Sequence, residues 1–169
     1  MKTLTRILSI ALALSACAQG EERVYLKPSD FIKSAYGGEI PETSVLNLSS
    51  SVKARAKSIM AHSYEESRVR HWNRGNRSVW ILEEIGKTQP ITTGFLIENG
   101  KIKSVNILIY RESHGWEVSK PFFTKQFSNA TLQGSDKLDK EIKNIAGATL
   151  SVRAITKLAR LALYFDSIS

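Results

Sequence analysis

Residues 92–111, TTGFLIENGKIKSVNILIYR, decide the fold. Two segments rich in β-branched and apolar residues flank Asn99-Gly100, a pair that favours a two-residue type I′ turn because both turn positions take a positive φ. The stretch therefore predicts a β-hairpin. Its second strand, Ile102 to Tyr110, is mostly apolar, and we expect it to lie at the centre of a sheet.

A second hairpin is predicted upstream of the first one. Arg68 to Trp72 and Arg77 to Leu82 both alternate with a period of two residues, and Asn73-Arg74-Gly75-Asn76 between them supplies a turn. The two hairpins together predict at least four antiparallel strands.

Helical patterns lie on both sides of these strands. Ser29 is predicted to cap a first helix that ends at Gly37-Gly38, and Ser49 to Ser51 can cap a second one. A third helix is expected from about Val152 to Tyr164, since apolar residues recur there at helical spacing. The predicted fold class is α+β: an antiparallel sheet with flanking helices and a C-terminal helix.

The N-terminus has the layout of an export signal. Lys2 and Arg6 precede the apolar run Ile7 to Ala16. This run is too short to span a membrane, which takes about 20 apolar residues. We therefore predict export, with residues 1–17 as a signal peptide and residues 24–169 as one domain.

The single cysteine lies at the end of that run. Leu14-Ser15-Ala16-Cys17 resembles the bacterial lipobox, in which the cysteine is acylated and becomes the mature N-terminus. This predicts a periplasmic or outer-face protein that is anchored to the membrane through Cys17. Cleavage after Ala16-Cys17-Ala18 also satisfies the small-x-small rule of signal peptides and stays open as an alternative.

The chain is basic, and its charge does not indicate a nucleic-acid partner. The formal net charge is +8, and loss of Lys2 and Arg6 with the signal lowers it to +6. An exported chain rarely meets nucleic acid, and the cations are scattered rather than concentrated in one run. The lone histidines His62, His71 and His114 lack the partner spacing of a metal site, so no metal is predicted.

The segment before the last helix suits an anion. Gly147-Ala148-Thr149-Leu150-Ser151 combines small residues and hydroxyls at a helix N-terminus, where backbone amides are free and the helix dipole is positive. Glycine and alanine let a phosphate approach the backbone. By itself, the same pattern is more often an ordinary helix start.

This segment resembles the flavinylation motif of the FMN-binding domain family, which includes the covalent-FMN subunits of the sodium-translocating NADH:quinone reductase and of Rnf-type complexes. In that family the hydroxyl residue two positions after the Gly-Ala-Thr threonine is esterified to the phosphate of FMN. The resemblance implies that Ser151 carries FMN covalently, that a flavin transferase installs it, and that Gly147, Ala148, Thr149 and Leu150 bind the cofactor.

The resemblance extends over roughly residues 75–165. A hairpin like Gly94 to Tyr110, a Glu-Ser-x-Gly turn and an aromatic segment like Phe122 to Phe127 occur in this order in family members. It implies that the turn residues also lie near the flavin: Glu112, Ser113, His114, Gly115 and Trp116. Trp116, Phe122 and Phe123 could cover the flavin ring or belong to the core.

Two positions depart from the family pattern. Lys143 stands where an aspartate is usual, and Ala146 where a serine or threonine is usual. The missing aspartate puts in doubt how well the transferase, a magnesium-dependent enzyme with FAD as donor, recognises the chain.

The resemblance implies electron transfer with a membrane-bound redox partner, so that the chain is a carrier rather than a stand-alone enzyme. A different class remains open, a non-redox exported lipoprotein that acts as a binding or assembly module and in which residues 147–151 only begin a helix. A reductase with its own small-molecule substrate is a weaker third hypothesis.

Overall fold

The computed structural model describes residues 21–134 and 136–169. The predicted signal peptide and the lipidation site at Cys17 lie outside the described residues and stay predictions. No helix in the described part of the chain is long and apolar enough to cross a bilayer. The helices are α1 (Pro28–Ala35), α2 (Ser50–Met60), α3 (Pro121–Thr124) and α4 (Thr149–Ser167), with 3-10 turns at Trp116–Ser119 and Lys125–Phe127.

Six of the strands within the described residues form one antiparallel sheet, in the order β1-β6-β5-β4-β3-β2. They are β1 (Arg23–Val24), β2 (Thr43–Asn47), β3 (Arg68–Arg74), β4 (Arg77–Ile85), β5 (Pro90–Glu98) and β6 (Lys101–Tyr110), and β7 (Leu132–Gln133) pairs separately with β8 (Lys137–Leu138). Both predicted hairpins are confirmed. In the turn between β5 and β6, Asn99 has a φ of 53° and Gly100 one of 69°.

The predicted central position of β6 is wrong. The central strands are β4 and β5, whereas the outer edge of β6 meets the two-residue strand β1, the residues just after it and an irregular segment at residues 129–130. In that segment, the Asn129 N–H donates to the Ile102 carbonyl at 2.7 Å, and the Ile102 N–H donates to Ala130 at 3.0 Å. This cover keeps β6 buried although it has no full strand neighbour on that side.

Helices cover both faces of the sheet. On β4, Val79 and Ile81 pack with α1, while Trp80 and Leu82 pack in the main core with α2 and α4. This alternation follows from the two-residue period of a strand. The predicted α+β class, with a C-terminal helix on an antiparallel sheet, is confirmed.

The helix boundaries differ from the predictions in two places. Ser29 does not cap α1, because Pro28 already occupies the first turn and the N-cap is Lys27. Ser49 does cap α2, and its hydroxyl accepts from the Val52 N–H at 3.4 Å. The last helix begins at Thr149 rather than at about Val152, so residues 149–151 form its first turn.

A bulge in β6 changes which face its last residues occupy. Thr92 pairs with Ile109 but Thr93 pairs with Ile107, so Leu108 is an extra residue in the ladder. Leu108 and Ile109 therefore both pack on the α1 side, and Tyr110 returns to the α4 side. The bulge thus directs the Tyr110 side chain toward the start of α4.

Gly94 tests how tightly α1 is seated. A Cβ at Gly94 would lie 2.5 Å from a ring carbon of Phe31, a buried residue of α1. We expect Gly94→Ala to lower the free energy of unfolding in urea by about 1–3 kcal/mol through overpacking. Phe31→Leu added to Gly94→Ala relieves the clash, so the double variant loses less stability than the sum of the two single changes. Additive losses would contradict this packing.

Candidate functional site

The end of β6, the turn after it and the start of α4 meet around one cavity. Its volume is about 390 Å³, within the range of about 300–1,000 Å³ typical of small-molecule sites. The lining residues are Lys87, Glu112, Ser113, His114, Gly147, Ala148, Thr149, Leu150 and Ser151. The structure therefore brings together two segments that lie more than thirty residues apart in the sequence and that were both predicted to contribute to the site.

The first turn of α4 presents free backbone donors to this cavity. Its N-cap is Ala148, and no side chain among the described residues caps the helix. Gly147 has a φ of 82°, and within the described chain no heavy atom lies within 4 Å of the place where its Cβ would stand. The unpaired amides, the positive end of the helix dipole and this open space together suit a phosphate group.

Ser151 lies in the same first turn and also lines the cavity. The residue is only 5% exposed, and its Oγ is 3.0 Å from the Tyr110 hydroxyl. The Oγ also lies 3.4 Å from where a Cβ on Gly86 would be. Ser151 is therefore a recessed alcohol that is held between the sheet and the helix.

The carboxylate of Glu112 fixes the loop between β4 and β5. Glu112 Oε1 accepts from the backbone N–H groups of Lys87, Thr88 (2.7 Å) and Gln89 (3.0 Å), and Oε2 accepts from the Thr88 hydroxyl at 3.1 Å. Burial raises the pKa of Glu112, but these hydrogen bonds together lower it below its ordinary value. Glu112 is therefore charged at neutral pH and already has donors of its own.

The turn after β6 approaches α4 closely because it contains a glycine. A Cβ on Gly115 would lie 2.9 Å from the Tyr110 hydroxyl and 3.1 Å from the Ala148 Cβ, and Gly115 has a φ of 87°. No other residue fits this position without strain. Ser113 and His114 are exposed at the cavity wall, where their side chains share a hydrogen bond of 2.8 Å.

The aromatic residues of this region have different environments. Phe123 is fully buried in the core, so it does not face the cavity. Trp116 is 39% exposed and Phe122 is 61% exposed, and neither lines the cavity. Gly115 and Trp116 are thus the two predicted site residues outside the lining, one as a packing contact and the other as a neighbouring surface ring.

The two departures from the family pattern lie on the surface. Lys143 and Ala146 are exposed and do not line the cavity. The Lys143 backbone N–H donates to Gln126 Oε1 at 2.7 Å. Neither departure therefore changes the cavity wall itself.

Sequence reasoning missed three residues of the site: Gly86, Lys87 and Tyr110. Gly86 leaves room for both Glu112 and Ser151, and Lys87 is the cation among the lining residues. A glycine followed by polar residues between two strands marks a turn, which could have drawn attention to residues 86–89. Nothing in the sequence marks Tyr110, because its orientation depends on the bulge.

The histidines lie apart from one another. His62 contacts Glu84 at 3.0 Å, His71 stacks on Trp80, and His114 pairs with Ser113. The structure, over the residues it describes, contains no group of three or more His, Cys, Asp or Glu side chains that could hold a metal ion.

The fold is an α+β domain, and its cavity at the start of α4 suits a small phosphate-bearing ligand. Residues 86–164 match the family model of the FMN-binding domain. The predicted family is thereby confirmed, and FMN is the cofactor of the domain. No curated protein matches the chain significantly. No solved structure does so either.

The hydrogen bonds from the loop at residues 86–89 to Glu112 make a pH-dependent contribution to stability. Since the pKa of Glu112 is lower in the folded than in the unfolded chain, its stabilisation is complete above its ordinary pKa of 4.5 and is lost as the pH falls through the folded value. We expect Glu112→Gln to lower the free energy of unfolding by about 1.5–3 kcal/mol at pH 7, measured by urea titration.

The difference between wild type and Glu112→Gln is expected to shrink as the pH is lowered below 4.5. Glu117→Gln is the matched control, since Glu117 lies in the following 3-10 turn, Trp116–Ser119, and does not line the cavity. A difference that stays constant from pH 7 to pH 3 would show that the charge of Glu112 does not hold the loop.

Proposed function

We propose that the chain is an exported electron-transfer flavoprotein that carries FMN on Ser151 through a phosphoester. The observation that carries the proposal is the position of the Ser151 hydroxyl. It lies in the wall of the cavity that the free amides of α4 also line, within the domain that has FMN as its cofactor. An ester at this oxygen places the phosphate next to those amides.

The residues around the cavity fit a phosphate. Gly147 leaves the backbone open to it, the first turn of α4 supplies N–H donors, and Lys87 supplies a positive charge at the rim. The carboxylate of Glu112 is nearby, but three backbone donors neutralise much of its field. The site as a whole therefore favours an anion.

The proposed attachment transfers the FMN phosphoryl group from FAD to the Ser151 hydroxyl. Ser151 exchanges its O–H bond for an O–P bond to the FMN phosphate. With FAD as donor, the bond from that phosphorus to the bridging oxygen breaks, and AMP leaves with the electron pair. The serine proton passes to a base of the flavin transferase or to water.

Once bound, FMN accepts and donates one or two electrons, while the protein holds it and tunes its potential. The rings of Trp116 and Phe122 are exposed and do not line the cavity, so they are available to meet a partner. The proposed partner is a membrane-bound redox protein, because the N-terminal sequence predicts export and an anchor at Cys17. A covalent bond prevents loss of the cofactor in a compartment that does not make it.

Replacement of Ser151 tests the attachment. When the chain is coexpressed with a flavin transferase, we expect the intact mass of the wild type to rise by one FMN less one water. Ser151→Ala removes the only proposed acceptor oxygen and is expected to show no adduct. Ser167→Ala is the matched control, because it removes a hydroxyl from the exposed far end of the same helix and should leave the adduct in place.

The outcome also separates the hypotheses of different classes. A yellow wild type that is bleached by dithionite and regains its colour on oxidation fits an electron carrier. An unmodified, colourless wild type would remove the basis for covalent attachment and would favour a binding or assembly module. Turnover of a small molecule with a soluble electron donor alone would instead indicate a reductase.

Gly147 tests the route of the phosphate. We expect Gly147→Leu to abolish the FMN adduct, since its side chain fills the open space beside the amides. The positive φ adds strain of about 1–2 kcal/mol for a residue with a Cβ. Gly147→Ala carries the same strain with little volume, so it serves as the control and should retain part of the adduct.

Urea titration of both variants shows whether they fold. A folded Gly147→Leu chain with a wild-type level of adduct would mean that the phosphate does not pass this position.

A further inference from the structure

The hydroxyl of Tyr110 has one hydrogen, and a backbone carbonyl accepts it. Tyr110 is fully buried, and its hydroxyl donates to the carbonyl of His114 at 2.5 Å. The same oxygen is 3.0 Å from Ser151 Oγ. Because a phenol donates only once, Tyr110 must accept the second hydrogen bond, and the Ser151 hydroxyl must donate it.

This bond directs the Ser151 hydroxyl to the sheet rather than to its own helix. A serine or threonine in a helix can instead donate to a carbonyl three or four residues earlier, as Thr156 does in α4 with a distance of 2.7 Å to the carbonyl of Val152. Ser151 lies in the first turn of α4, whose N-cap is Ala148. Within the described residues, no protein group donates to the lone pairs of its oxygen once its hydrogen points to Tyr110.

We propose that Tyr110 is a positioning residue for the acceptor oxygen: by accepting the Ser151 hydrogen bond, it holds Oγ toward the cavity and away from the helix backbone. This inference rests on the proposed attachment of FMN to Ser151. The bulge at Leu108 is what makes it possible, since a regular strand would direct Tyr110 to the opposite face.

Tyr110 does not take the proton of Ser151 during attachment. The phenol keeps its own hydrogen on the His114 carbonyl throughout, so the serine proton leaves by another route. After attachment the ester oxygen has no hydrogen, and Tyr110 loses a donor. The state of the Tyr110 phenol therefore reports on Ser151.

The main test is Tyr110→Phe, which keeps the ring and removes the hydroxyl. With purified flavin transferase and FAD, we expect the kcat of FMN attachment to fall about 10-fold, because the acceptor turns to the backbone. The KM for the chain should not change, since Tyr110 is buried and does not meet the transferase. A merely structural defect would alter both constants through loss of folded chain.

Tyr36→Phe is the matched control. Tyr36 is also a buried tyrosine whose hydroxyl donates to a backbone carbonyl, that of Trp72 at 2.6 Å, but it packs with α1 on the other face. Its loss should cost stability without slowing attachment. Thermal unfolding of the two variants shows how much of any effect comes from stability.

A second measurement tests the direction of the hydrogen bond without the Phe variant. With 3-fluorotyrosine at position 110, the phenol pKa is followed by fluorine NMR in chains with Ser151 and with Ser151→Ala. Burial raises the pKa of Tyr110 above its ordinary value, and a hydrogen bond donated by Ser151 opposes this rise because it stabilises the phenolate, so Ser151→Ala should raise the pKa further.

The possible results are distinct. Attachment to Tyr110→Phe at the wild-type rate, or a phenol pKa that does not rise in Ser151→Ala, overturns the positioning role and leaves the covalent FMN intact. A wild type that is never modified overturns the proposed function instead, and the fluorine titration still decides whether Ser151 donates to Tyr110.

Discussion

The site depends on how closely the first turn of α4 approaches the end of β6. Gly115 lacks the Cβ that would collide with both Ala148 and the Tyr110 hydroxyl, and Gly86 lacks the one that would collide with Glu112. Side chains at either position would push the helix start away from the sheet. Close packing of this kind tolerates little change in volume, so two glycines on separate loops set the depth at which Ser151 lies.

Electrostatics then decides what the cavity accepts. A buried carboxylate beside a phosphate site would ordinarily repel the ligand. Glu112 is instead surrounded by backbone donors of residues 87–89, so its charge serves to order the loop that brings Lys87 to the rim. The negative charge of Glu112 thus orders the loop that contributes the positive charge of Lys87 to the cavity.

Much of the fold could be predicted because it follows from local patterns. The Asn99-Gly100 turn and the alternating strands required only sequence-local rules. The position of β6 was wrong because an apolar strand indicates burial but not what covers it, and here the segment at residues 129–130 covers its edge. The motif at 147–151 was found through family resemblance. The orientation of Tyr110 could not be predicted, because the alternation of apolar residues along a strand does not show where the ladder contains an extra residue.

The burial of Ser151 has a consequence for the order of events in the proposed maturation. Since the residue is 5% exposed, its oxygen is reached through the cavity, whose walls come from the turn after β6, the loop before β5 and the start of α4. These walls stand together only after α4 has docked on the sheet. In the proposed reaction folding therefore comes before modification, and an unfolded chain offers the transferase no positioned acceptor.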